Sequence, residues 1–297
     1  MSKRVGIIGA GLMGLPMSIN WLARGWEVMG YDVSPSRTAL LAEAGAHVAQ
    51  KIEEVAQFSD LIVLSLPSSA ALDDVVANLA SCTNAHHVIA ETSTFAVEDK
   101  ERAAARIAAN TDAKFLDCPI IGGAVQAKTG MLTILGSGDE EAWPKTEPLW
   151  ADTARQYRYV GSFGTASRLK FVVNHFVCTT TVLIAETMRF AERAGLDLAL
   201  VNEIIGKSPA SSGIWLARVP LMLSGIYDDP ATKAAELAIP FKDTRIIADF
   251  IDQHGAPTPL FQAALDIYRV AQEQDRADQD AAALFEVFGS LTAQRNQ

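Results

Sequence analysis

The chain has little of what several function classes require. Cysteine is scarce: Cys82, Cys118 and Cys178 are the only 3 in 297 residues, far apart and in no metal-ligand spacing. That argues against a disulfide scaffold or a cysteine-held metal and fits buried thiols in a reducing compartment. Basic residues are outnumbered, 25 Lys and Arg against 35 Asp and Glu, for a formal net charge of −10. No basic stripe offsets nucleic-acid phosphates, so no nucleic-acid partner is expected. A small anion needs only a local positive pocket and stays compatible with this balance. No apolar run is expected to approach the ~20 residues of a membrane helix. The N-terminal Met-Ser-Lys-Arg runs straight into a strand pattern, with no leader-like stretch. The expectation is a cytoplasmic protein with no membrane partner.

What is present is a hydrophobic content of 49% with 20% charged residues, in a chain long enough for two domains. The most informative stretch is 5–14, Val-Gly-Ile-Ile-Gly-Ala-Gly-Leu-Met-Gly. An apolar run ends in spaced glycines and is followed at once by a helical pattern. Gly9 suits the tight turn, Gly11 lets a pyrophosphate approach the backbone, and Gly14 lets the helix pack close to the strand. The helix N-terminus, with Ala10, Leu12 and Met13 in the same turn, offers N–H donors to phosphate. A second strand over 26–31 leads to Asp32, 18 residues beyond Gly14. An acid there accepts hydrogen bonds from an adenosine ribose and repels a 2′-phosphate, which favours NAD over NADP. Asp32 also reads as a helix N-terminal charge, with Ser34 and Pro35 as N-cap and first helical residue.

Strand candidates at 4–8, 27–31, 61–66, 87–90, 114–117, 131–135 and 158–160 alternate with helix candidates at 13–24, 35–44, 70–80, 97–109 and 140–149. Such alternation builds a doubly wound parallel sheet. Residues 61–66 are apolar on both faces, as in a central strand, and Leu66 and Pro67 then fall at the carboxyl end, where ligands bind. After Gly164 nothing reads as a strand. A long helix over 165–194 ends at Gly195, and helices follow near 197–206, 214–223, 232–253, 258–273 and 280–292. The expected fold is α/β: a Rossmann-like domain over 1–162, then an all-α domain over 163–297. The substrate is expected in a cleft between them.

An alcohol-oxidising nicotinamide enzyme needs a group to take the hydroxyl proton. The five histidines sit at turns, element ends or off the relevant face. Lys170 is the better candidate. It lies early on the long helix, where the helix N-terminus and partial burial disfavour an ammonium, and Asn174 shares its face four residues on. Spacing alone favours a solvated lysine on an amphipathic helix. Ile121-Gly122-Gly123, after the strand ending at Asp117, offers backbone N–H groups to a carboxylate or is simply a wide loop. Lys242-Asp243 reads as a surface ion pair.

In this order, these motifs resemble the β-hydroxyacid dehydrogenase family over nearly the whole chain. Residues 9–17 look like its cofactor fingerprint, 117–123 with 130–133 like its substrate loop, 161–174 like its catalytic segment, and 91–94 like its acidic-x-Ser-Thr stretch. The resemblance implies that Lys170 is the catalytic acid/base, assisted by Asn174. It implies that Gly122 and Gly123 bind the substrate carboxylate and that Thr94 and Lys242 touch the cofactor region. It also implies a homodimer or homotetramer through the helical domain. Two positions depart from the pattern: Ile121 stands where the family usually has Ser, and Val173 stands for the first of an Asn pair. Both make the pocket more apolar. The expected activity is hydride transfer between NAD and a small anionic 3-hydroxy acid or its semialdehyde. The alternatives are an imine reductase, which usually lacks the lysine, and a catalytically inactive cofactor-binding protein.

Overall fold

The computed structural model describes residues 3–229, 232–233 and 235–295. Contacts divide the chain into two units, Met1–Lys170 and Phe171–Gln297.

In the first unit, β-branched and aliphatic runs form strands and amphipathic stretches form the helices between them. The order is β1 (Arg4–Ile8), α1 (Gly14–Ala23), β2 (Glu27–Tyr31), α2 (Pro35–Glu43), β3 (His47–Val48), α3 (Ile52–Phe58), β4 (Leu61–Leu64), α4 (Ser69–Cys82), β5 (Val88–Glu91), α5 (Val97–Asn110) and β6 (Lys114–Asp117). Among the described residues these strands make one six-stranded sheet in the order β3-β2-β1-β4-β5-β6. Every pairing is parallel. The order reverses between β1 and β4, which opens a crevice at the carboxyl edge. Register aligns the strand ends there: Ile8 faces Tyr31 and Leu64, Leu64 faces Glu91, and Glu91 faces Asp117. Each sheet face is sealed by its own apolar cluster, one around Trp21, Val63 and Trp150, the other around Ile62, Leu72 and Phe115.

The later strands do not extend this sheet, contrary to expectation. β7 (Ile120–Ile121), β8 (Leu132–Gly136) and β9 (Ala154–Tyr159) form a separate sheet in which β7 is antiparallel to β8 and β8 parallel to β9. The connection between β7 and β8 holds only the short α6 (Ala124–Thr129), too little for a crossover, so the chain returns antiparallel. The helix expected over 140–149 is a 3-10 turn at Trp143–Lys145 and then α7 (Glu147–Thr153), because Pro144 and Pro148 each remove a backbone donor.

The second unit is helical among its described residues. The long α8 (Thr165–Arg193) starts in the first unit and runs into the second. It ends at Gly195, whose φ of 74° suits the left-handed stop. Then come α9 (Leu198–Gly206), α10 (Gly213–Ser224), α11 (Ala238–His254), α12 (Pro259–Glu273) and α13 (Leu284–Arg295). The helix expected from 232 begins only at Ala238, since Glu236 makes an antiparallel bridge to Asp280; position 234 lies outside the described residues. By length and composition α8 could cross a membrane. The absence of an uninterrupted apolar run had hidden this, because threonines and single charges break the run. Its buried residues, Phe171, Cys178, Ala185 and Met188, recur at the spacing of a core-facing helix stripe.

The α1 start is packed against the strand it follows. A Cβ added to Gly14 would stand 2.0 Å from the Gly9 carbonyl oxygen, with nothing flexible to yield. Gly14→Ala is expected to cost about 1–3 kcal/mol, the range for overpacking, and to lower the thermal midpoint measured by circular dichroism. An unchanged midpoint would show that the turn is loose.

Candidate active site

The β1–α1 turn is built by its glycines. Gly9 has φ +96°, and a Cβ on it would meet the Ser65 carbonyl oxygen at 2.1 Å. A Cβ on Gly11 would meet nothing within 4 Å. Open space therefore lies over the middle of the turn and solid packing at both ends. Ala10 is buried beneath it, and Leu12 is exposed at its rim. The N-terminus of α1 has no side-chain cap and no acidic residue in its first turn. Unfilled donors, positive dipole and open backbone are what a pyrophosphate requires, so these residues fit a dinucleotide. Asp32 is half-buried and rigidly placed: Oδ2 accepts from Ala10 N at 2.7 Å and Oδ1 from Ser34 N at 2.8 Å. It thus ties the end of β2 to the glycine turn, while Ser34 and Pro35 start α2.

The loops after β4 and β5 meet at the same edge. Leu66 N donates to Ser93 Oγ at 2.8 Å, and Ser93 N donates to Glu91 Oε1 at 2.8 Å. Pro67 is exposed and Thr94 half-exposed beside these bonds.

Beneath that edge lies a charge cluster that sequence reading missed. Lys100, Glu91 and Asp117 are each 0% exposed. Lys100 Nζ lies 2.7 Å from Glu91 Oε2 and 2.9 Å from Asp117 Oδ1. Burial by itself would lower the Lys100 ammonium, but the Asp117 and Glu91 carboxylates outweigh it and hold the group above the usual lysine range. Asp117 does more than pair. Its Oδ1 accepts from Ser167 Oγ at 2.7 Å, and its Oδ2 accepts from Ser167 N at 2.9 Å and Ser137 Oγ at 3.0 Å. Ser137 Oγ in turn accepts from Ala166 N at 3.1 Å. Two of the first N–H groups of α8 are thereby satisfied, that of Ala166 by the Ser137 hydroxyl and that of Ser167 by the Asp117 carboxylate, the favourable charge for a helix N-terminus.

Lys170 follows Ser167 by one turn of α8 and is 8% exposed, so it is not a solvated surface lysine. Asn174 lies four residues on. Its Nδ2 donates to Asp243 Oδ2 at 2.8 Å, which fixes the amide. Asp243 is 2% exposed, so the expected surface pair Lys242-Asp243 holds only for its lysine. Lys242 Nζ is partly exposed and 3.8 Å from Asp243 Oδ1.

In the expected substrate loop, Ile121 is half-buried and pairs with Thr133, while Gly122 has φ +126°. The N–H of Gly123 is donated to Gln126 Oε1 at 3.0 Å, so in this structure that donor is directed within the loop. Three of the five histidines illustrate structural roles. His87 Nε2 lies 2.9 Å from the Ala56 carbonyl, His175 lies against Phe261, and His254 against Phe250. Cys118 and Cys178 are buried as expected; Cys82 is half-exposed instead. Burial pushes the Cys118 thiol well up.

The signal for Lys100 was present in the sequence. On α5 the buried positions are Val97, Lys100, Ala103 and Ile107, so the lysine sits within the apolar stripe of its helix. For Asp243 the corresponding signal is weaker: it follows Pro240 and Phe241 on the buried face of α11.

Known proteins agree with this architecture. Residues 4–161 match the model of the NAD binding domain of 6-phosphogluconate dehydrogenase. Residues 164–288 match that of the NAD-binding region of NADP-dependent 3-hydroxyisobutyrate dehydrogenase. The chain is 26% identical to 2-(hydroxymethyl)glutarate dehydrogenase of Eubacterium barkeri, covering 98% of this chain and 96% of that protein. It is 28% identical to the NAD-dependent L-serine dehydrogenase of Pseudomonas aeruginosa, covering 98% and 100%. The fold of Mycobacterium tuberculosis 3-hydroxyisobutyrate dehydrogenase, solved with L-serine, superposes with a TM-score of 0.86 at 23% identity, covering 97% and 99%. A glycine turn suited to a dinucleotide, a buried lysine early on the long helix and these two matched models lead to one conclusion: the chain belongs to the β-hydroxyacid dehydrogenase family, nicotinamide-dependent oxidoreductases acting on the CH–OH group of 3-hydroxy acids.

Proposed function

We propose that this enzyme interconverts a small, predominantly apolar 3-hydroxy acid and its semialdehyde, with NAD as the preferred cofactor and Lys170 as the acid/base. The observation that carries the reading is the burial of Lys170 one turn beyond the Asp117 anchor at the carboxyl edge of the sheet. The bound nicotinamide supplies the hydride acceptor or donor. Lys170 Nζ takes the hydroxyl proton on oxidation and returns it on reduction, a role that requires shelter from water. Asn174, its amide locked by Asp243, holds the substrate oxygen. Gly9 to Gly14 cradle the pyrophosphate with Ala10, Leu12 and Met13, and Leu66, Pro67, Thr94 and Lys242 line the cofactor.

The preference for NAD rests on Asp32. A carboxylate has about four acceptor sites; two are used by Ala10 and Ser34, which leaves room for the ribose hydroxyls. No arginine lies directly beside it to accept a 2′-phosphate. The free thiols support a reducing, cytoplasmic setting.

The substrate preference rests on Ile121. With an aliphatic side chain where the family usually has a hydroxyl, Gly122 and the loop backbone hold the carboxylate, and the rest of the substrate meets hydrocarbon. Gly123 contributes once Gln126 yields its N–H.

We also propose a homo-oligomer, dimer or tetramer, built on α8. Phe176, Leu183 and Phe190 recur every seven residues and are 62%, 57% and 71% exposed, with Val172 beside them at 64%. A heptad stripe of large apolar side chains is the pattern by which two helices pack.

Four outcomes are expected. In a panel of short hydroxy acids and aldehydes tested with NAD and NADP, the wild type oxidises a 3-hydroxy acid. Lys170→Ala lowers kcat by about 10²–10⁴-fold while NAD still binds in calorimetry. Turnover by Lys170→Ala at the wild-type rate would remove the catalytic assignment, and no oxidation by the wild type would leave a cofactor-binding protein. Ile121→Ser shifts kcat/KM about tenfold toward substrates that carry a further hydroxyl besides the reacting one, the effect of one added hydrogen bond of ~1.5 kcal/mol to a charged or polar group; an unchanged ranking would detach Ile121 from selectivity. Phe176→Glu with Leu183→Glu reduces the mass seen by light scattering to that of a single chain, and an unaltered mass would place the interface elsewhere.

A further inference from the structure

Lys100 takes no part in the chemistry proposed above, and its position is costly. It sits fully buried between two carboxylates whose residues are register neighbours on adjacent parallel strands, Glu91 on β5 and Asp117 on β6. Like charges so placed repel, and burying them without a cation is strongly unfavourable. An apolar residue at position 100 with neutral partners would build the same core more simply. The expense has a visible correlate. Each carboxylate uses its remaining hydrogen-bonding capacity on a different part of the reaction centre.

On one side Glu91 Oε1 holds Ser93 N, and Ser93 Oγ holds Leu66 N, which shapes the two loops assigned to the cofactor. On the other side Asp117 holds both the N–H and the hydroxyl of Ser167, with Lys170 one turn further along the helix. Hydrogen bonds and the two ion pairs of Lys100 together form an unbroken chain: Leu66, Ser93, Glu91, Lys100, Asp117, Ser167. Lys100 is the link where its two halves join, and it lies within the unit that holds them all. The Asp117–Ser137 backbone pair ties the same point to β8, so the chain has no slack on the Asp117 side.

We propose that Lys100 is a positioning residue for hydride transfer: by pairing with both the Glu91 and Asp117 carboxylates, which strand register places side by side, it fixes the direction in which each one holds its partners, the cofactor-side loops on one side and the Lys170 turn on the other. The proposal rests on Lys170 being the acid/base. Proximity supplies a large part of any such rate, and a 1 Å misplacement from a distant change can cost 10²-fold. Loss of the link therefore affects the rate of the chemical step more than the binding of either ligand.

The test uses the full-length enzyme and two variants. Lys100→Met leaves two buried carboxylates facing each other and is expected to be strongly destabilised. Lys100→Met with Glu91→Gln removes that repulsion, keeps an acceptor for Ser93 N and leaves the Asp117 bonds to α8 in place; the link is lost, and Asp117 becomes the one buried charge without its cation. Melting temperature, NAD affinity, KM, kcat and the primary deuterium isotope effect are measured, with substrate deuterated at the hydroxyl carbon. The double variant is expected to melt below the wild type, because Asp117 loses its cation, but to fold, to bind NAD and substrate within about threefold, to lose about 10²-fold in kcat, and to show a larger isotope effect on kcat. A stable double variant with kcat within about threefold of wild type overturns the proposal. So does a double variant that does not fold, since that assigns Lys100 to stability alone, and so does a loss confined to KM or NAD affinity. Wild type and Lys170→Ala are assayed in parallel. If the wild type oxidises no hydroxy acid, or if Lys170→Ala keeps its rate, the reading of the reaction has failed; if both behave as expected and only the Lys100 variants disagree, the positioning role alone has failed.

Discussion

A single buried ammonium, Lys100, holds together two carboxylates that parallel pairing forces side by side. Strands in such a sheet all point one way, so their carboxyl ends collect on one edge, and whatever the last residues carry must coexist there. In β5 and β6 the last residues are Glu91 and Asp117. Removing one partner from a buried charge pair typically costs about 3–5 kcal/mol, a large share of the ~5–15 kcal/mol that holds a domain folded. The cluster is therefore a constraint that the fold must satisfy before the edge can carry a site. Once satisfied, it anchors the first turn of α8, because Asp117 accepts from both the N–H and the hydroxyl of Ser167.

The glycine turn works by a different physical route. Backbone contact replaces charge, with Gly9 and Gly14 pressed against carbonyl oxygens and Gly11 left open between them. Asp32 then connects this turn to β2 through Ala10 N and Ser34 N. The edge thus has two anchors, one steric and one ionic, at opposite ends of the strand row that runs from Tyr31 through Ile8, Leu64 and Glu91 to Asp117. A dinucleotide family needs both: a place where phosphate can touch backbone, and a fixed start for the helix that bears the acid/base.

What the sequence disclosed followed from how local each signal was. The glycine turn and Asp32 were legible because their chemistry is contained in a strand, a turn and a helix start. The extent of α8 was legible because Gly164 and Gly195 bound a stretch without Gly or Pro. The short β3 and β7 and the seven-residue α3 were missed, since two or seven residues carry too little periodicity to read. Lys100 and Asp243 escaped for another reason. A charged residue on a helix is normally solvated, and its partners here come from distant positions that only the folded sheet brings into contact. In α5 the stripe Val97, Lys100, Ala103, Ile107 nonetheless placed the lysine inward, and a stricter use of periodicity would have found it. Ile121 was legible as a departure from the family pattern, yet its consequence depends on the loop backbone, where Gln126 holds the Gly123 donor.

The account comes down to where one amine stands relative to a substrate hydroxyl. The most direct measurement is a crystal structure of the enzyme with NAD and the 3-hydroxy acid it turns over. The account predicts the Lys170 amine within about 2.6–3.2 Å of the hydroxyl oxygen, with the Lys100, Glu91 and Asp117 cluster intact beneath it. A substrate hydroxyl held by other groups, with the Lys170 amine beyond the reach of a hydrogen bond or a single bridging water, would contradict it.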